Sequence, residues 1–138
     1  MKGMIVSRPT EGDLPVSLDD LGAAARERWG AWVTERHTSV VPNAVLTLEV
    51  EPPGEPEFTV EVMRGPRSIN LDGTPVQNYA TAAWLRSLMP ADAPRVIVFD
   101  DAWSMHADLT YGCTAEGLRA GTVDHSVPGW DAGDPDLY

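Results

Sequence analysis

Nothing constrains this chain more than the stretch Pro52-Pro53-Gly54-Glu55-Pro56, because its prolines lack the N–H that a strand ladder needs. On either side of it hydrophobicity alternates with period two. Leu46, Leu48 and Val50 share one face of residues 44–51, and Phe58, Val60 and Val62 share one face of residues 57–64. Two such runs with a short Pro/Gly connector predict an antiparallel hairpin. Its other face carries Glu49, Glu51, Glu57 and Glu61, with Glu55 in the turn. One side of this sheet therefore wants a helix, and the other wants water or a partner.

The flanking segments extend the pattern. Residues 1–16, broken by Pro9, Gly12 and Pro15, predict an irregular lead-in. Ser17 is placed as a helix N-cap, with Asp19 and Asp20 in the first turn, where the backbone dipole favours negative charge. Leu18, Leu21, Ala25, Trp32 and Val33 then recur at helical spacing, and Pro42 closes the region. A third strand is expected over 67–71, closed by Asp72-Gly73. Val76, Tyr79, Ala80, Ala83, Trp84 and Leu88 form the strongest amphipathic stripe in the chain, so a helix is expected to lay Trp84 and Ala80 on the hairpin's apolar face. Residues 95–99 predict a buried strand and 103–109 another, with Asp100-Asp101 between them. Thr114 is placed to cap a short helix ending at Gly121, and 122–138 predict an acidic irregular tail pinned by Trp130.

The element order α-β-β-β-α-β-β-α predicts a single α+β domain, a mainly antiparallel sheet with helices packed on its apolar face. Similar orders occur in secretion-chaperone folds and in small immunity proteins that neutralise toxins, a likeness of order and not of motif. The length of 138 residues suits one core.

Charge narrows the function classes. Ten basic residues against 21 acidic ones leave a formal charge of -11, which speaks against nucleic acid and against anionic membranes. No run of apolar residues is long enough for a membrane helix, and the first residues lack a signal-peptide core, so the expected location is the cytoplasm. The single cysteine, Cys113, excludes an intramolecular disulfide; a thiolate–imidazole pair with His106 or His125 stands against the plainer reading of a small buried or half-buried residue. Ser39, Ser104 and Ser126 lie in no nucleophile elbow, no glycine loop fits a phosphate, and no cofactor is expected.

Two candidate sites remain. Asp100, Asp101, His106 and Asp108 gather at the end of a buried strand, with His106 and Asp108 ~7 Å apart on one strand face. Such a set would suit a small metal-dependent hydrolase; the plainer reading is a hairpin turn followed by a solvated face, with no bound metal expected. Residues 100–138 also hold Asp100, Asp101, Asp108, Glu116, Asp124, Asp131, Asp134 and Asp136 against Arg119 alone, with Trp103, Trp130 and Tyr138 among them. Aromatic anchors ringed by acids suit a basic protein. The expected function is a non-catalytic protein-binding module of immunity-protein or secretion-chaperone type, using Asp100, Asp101, Trp103, His106, Asp108 and Trp130. The alternatives are the hydrolase and a homodimeric structural subunit pairing through a sheet edge or the 76–88 helix.

Overall fold

A computed structural model describes residues 3–38, 40–134 and 137. Ser39, Asp136 and Tyr138 lie outside the described residues. The strands are β1 (Met4–Ser7), β2 (Val33–Arg36), β3 (Ala44–Val50), β4 (Phe58–Met63), β5 (Ser68–Leu71), β6 (Ile97–Asp100), β7 (Met105–Asp108) and β8 (Val123–Asp124). The helices are α1 (Leu18–Trp29), α2 (Pro75–Ser87) and α3 (Ala115–Ala120). All strands join one antiparallel sheet in the order β2-β3-β4-β5-β1-β6-β7-β8. No helix among the described residues is long and apolar enough to cross a membrane.

The α+β class, the 44–63 hairpin and the three helices match the sequence reading. Three strands do not. Residues 1–16 contain β1, which sits mid-sheet and joins the β2–β5 meander to the β6–β8 ladder. Trp32 and Val33 do not prolong α1: Gly30 takes φ 55°, a left-handed angle free of strain only for glycine, and the chain turns into β2. Strand β8 is two residues inside the expected irregular tail.

Register fixes two faces. Met4, Val6, Leu46, Leu48, Val50, Phe58, Val60, Val62, Leu71 and Val98 point to the helices and join Leu21, Ala25 and Leu85 in one buried cluster. Thr47, Glu49, Thr59, Glu61, Asn70, Ile5, Phe99 and His106 point the other way.

Helix α2 inverts its expected orientation. Thr74 and Gln77 form a capping box that sets its start. Its buried residues are Gln77, Asn78, Tyr79, Thr81, Ala82, Leu85 and Arg86, while Val76 is 65% exposed. At ~100° per residue the buried set and the apolar stripe are centred on roughly opposite sides of the helix. Gln77 and Asn78 face inward because each finds a partner. Gln77 Nε2 donates to the Pro56 carbonyl at 2.7 Å, and Asn78 accepts from Gly73 N–H at 2.8 Å while donating to its carbonyl at 3.1 Å.

Trp84 therefore meets the core at its margin, through the Trp29 ring 4.8 Å away, which in turn packs edge-on to Phe58 at 5.9 Å. Ala80 lines a surface groove instead of facing the strands. Because Trp84 is only half-buried, Trp84→Ala should cost about 2–3 kcal/mol, below the ~3–5 typical of a fully buried tryptophan. Urea midpoints measure this, and an unchanged midpoint would contradict the Trp29–Trp84 contact.

Candidate functional site

The β6–β7 connection builds the first cluster. Asp100 spends its carboxylate on the turn, accepting from Ser104 N–H at 2.6 Å, from Met105 N–H at 3.3 Å and from the Ser104 hydroxyl. Burial pushes the Asp100 carboxyl up, but these bonds prevail and hold it below its ordinary value. The turn reading of Asp100-Asp101 is the one the structure realises. Trp103 closes it at φ 53°, an angle that costs a bulky residue about 1–3 kcal/mol and is held here by its surroundings. That angle folds the indole back over the sheet, 5.2 Å from the Phe99 ring.

There Trp103 meets His106, His125 and Trp130. His106 is 2% exposed, which corrects the expectation that it belongs to a solvated strand face. Its Nδ1 lies 2.7 Å from His125 Nε2, and His125 Nδ1 lies 2.8 Å from the Trp103 carbonyl. A carbonyl only accepts, so His125 carries a proton on Nδ1. In the neutral pair, His106 then donates from Nδ1 to His125 Nε2. Trp130 stacks on His125 at 3.7 Å. Burial lowers the His106 pKa, helped by His125 and Arg95 and opposed by Asp108 and Asp134.

Arg95 closes this arrangement from the side. It forks to Asp108 at 2.7 and 3.2 Å and to Asp134 at 2.6 and 2.9 Å, bolting the tail to β7. These bonds, led by Asp134, raise the arginine pKa further above its ordinary value. Asp124 accepts from Ser126 within its own turn.

Asp100, His106 and Asp108 are thus committed separately, Asp101 stands exposed, and the four do not converge. Among the described residues no group of three or more His, Cys, Asp and Glu side chains is arranged to hold a metal ion. Burial also pushes the Cys113 thiol up, away from thiolate, while the two histidines bond to each other. Trp103, His106 and Trp130 meet as a fastener of the tail, and of the six expected contact residues Asp101 alone is an exposed acid free of such work.

The second cluster lies on the uncovered half of the same sheet face. Two adjoining cavities of about 360 and 270 Å³ share Thr59 and Asp72. Along them stand Glu49, Glu51, Glu57, Glu61, Asp72 and Asp101, and among the described residues no arginine or lysine lines either cavity. Glu49 is matched from outside by Arg36 at 2.8 Å, and Glu61 accepts from Asn70 at 3.2 Å. Asp72 accepts from Thr59 N–H at 2.6 Å and its hydroxyl at 2.8 Å, which fixes the carboxylate at the groove's midpoint. The sequence marked the four glutamates but gave Asp72 only a turn role. Its parity with Asn70 was the available signal, since residues two apart share a strand face. Compared with known proteins, the chain matches no family model, no curated protein and no solved structure.

Proposed function

We propose that this protein is a non-catalytic binding module that takes a basic segment of another protein into the carboxylate groove. The observation carrying this reading is the groove itself: six carboxylates along a concave strip, two of them (Glu49, Glu61) in strands and four in the connections next to strands, with no cation lining it among the described residues. Such a strip repels its own charges in the free state and gains from a counter-charge brought by a partner. A protein surface built to hold phosphates is one such partner, since carboxylates can occupy its basic cleft. That is how a module of immunity-protein or secretion-chaperone type would act. The expected acidic C-terminal surface contracts on this reading to Asp101, which extends the groove.

The test is binding of an arginine-rich peptide, measured by interferometry at low and high salt. Association should be fast at low salt and slow steeply as the Debye length shrinks from about 10 Å at 0.1 M. Replacing Glu51 and Glu57 with Gln and Asp101 with Asn should weaken binding by about tenfold or more. The control removes the same charge from α1 through Asp19→Asn, Asp20→Asn and Glu27→Gln. Equal losses in both variants would reduce the groove to a general effect of net charge.

A further inference from the structure

The apolar stripe of α2 is only partly covered: Tyr79 is buried, Ala80, Ala83, Trp84 and Leu88 are half-buried, and Val76 stands exposed. Two grooves flank the exposed Val76. One, about 240 Å³, runs between α1 and α2 beside Trp32, which is 47% exposed, and includes Trp29 and Phe58. The other, about 340 Å³, runs between α2 and α3 over Tyr79 and Ala115. Tryptophan, tyrosine and arginine around an apolar centre are the composition of an interface core. Arg28 adds to this: its guanidinium lies 5.5 and 5.6 Å from the Trp29 and Trp84 rings and has no carboxylate partner among the described residues.

What covers the patch is decided by charge. The charged residues lining the two grooves are Arg28, Glu55, Glu116 and Arg119, two of each sign. The chain as a whole carries -11, and the opposite sheet face holds the carboxylate groove. A basic partner is drawn to that other face. A rim with two charges of each sign is self-complementary: a second copy meets no net charge here, and a two-fold pairing opposes arginines to glutamates. The geometry points to self-association through the outward face of α2, around Val76 and Trp32, as a two-fold homodimer. This surface is independent of the carboxylate groove, which it leaves open on both copies.

Sedimentation equilibrium on the full chain tests this. The protein should sediment at micromolar concentration as a particle of twice the 15.0 kDa chain mass. Val76→Glu should raise the dissociation constant by at least about tenfold, because a carboxylate would be buried at the centre of the contact. The variant is safe for folding: Val76 is exposed and lies in the first turn of α2, where an acidic residue suits the helix dipole. Far-ultraviolet circular dichroism should therefore not change. Arg28→Glu should also weaken the dimer, with a loss that high salt partly restores. A wild-type chain that stays monomeric at several hundred micromolar overturns the proposal, as does a dimer indifferent to Val76→Glu.

Discussion

Arg86→Ala is expected to lower the unfolding free energy by about 3–5 kcal/mol, the largest effect of any single polar substitution in this fold. The residue is 4% exposed, and its guanidinium has no carboxylate partner among the described residues. It donates instead to main-chain carbonyls: Leu109 at 3.1 Å, Pro90 at 2.9 Å, Ala91 at 3.2 Å and, more weakly, Met89 at 3.5 Å. These carbonyls belong to the loop leaving α2 and to the residue after β7. The fan of N–H donors thus ties the end of α2 and its exit loop to the residue after β7. Truncation leaves buried acceptors without donors and opens a void where the side chain lay. Arg86→Lys should recover only part of the loss, since a compact ammonium cannot span the same set of acceptors. Guanidinium midpoints for the two variants measure both effects. A small loss for Ala would mean that water reaches those carbonyls.

Acidification is expected to loosen the tail from the sheet. The sign follows from His106, whose folded pKa is lowered from its ordinary 6.5. Its neutral form contributes full stability above that value. As pH falls below 6.5 the opened state takes up a proton that the closed state refuses, and the contribution declines until the lowered folded pKa is reached. Asp108 and Asp134 face His106 and favour its charge, Arg95 and His125 oppose it, and Asp100 and Asp124 lie close enough to His125 to feel it. A charge on His106 stands desolvated beside Arg95 and His125, a cost that the open state relieves. Trp130 then loses the stacked partner that holds it. Tryptophan fluorescence between pH 7.5 and 5 should report the opening before the main unfolding transition. His106→Phe keeps a ring in place without the charge and should flatten the profile. An unaltered profile in that variant would place the pH dependence elsewhere.

What could be read from the sequence was whatever local periodicity and caps determine. Ser17 accepts from Asp20 N–H as expected of an N-cap, and the alternation across Leu46–Val50 and Phe58–Val62 gave strand faces that hold throughout. The face of α2 was not legible, because apolar spacing says which side could be buried, whereas Gln77, Asn78 and Arg86 find their partners in distant segments. His106 was misplaced for the same reason. A strand face counts as solvated until something covers it, and its cover comes from Trp103 turned back at φ 53° and from Trp130 in a stretch without periodicity. The carboxylate groove was half legible: alternation put the glutamates on one face, but Asp72 and Asp101 join them only once β1 brings β5 and β6 together.

That placement of β1 also governs when the molecule can fold. Met4 stands in register opposite both Leu71 and Asp100, so the inner ladder joins residues widely separated in the sequence. The β2–β5 meander and the β6–β7 hairpin each close through short loops, which is entropically cheap and fast. The strand between them must wait. During synthesis β1 leaves the ribosome with neither neighbour yet made, and its second edge stays open until β6 follows. Folding speed falls as contacts become less local, so the late step should be this docking of two finished half-sheets onto one early strand.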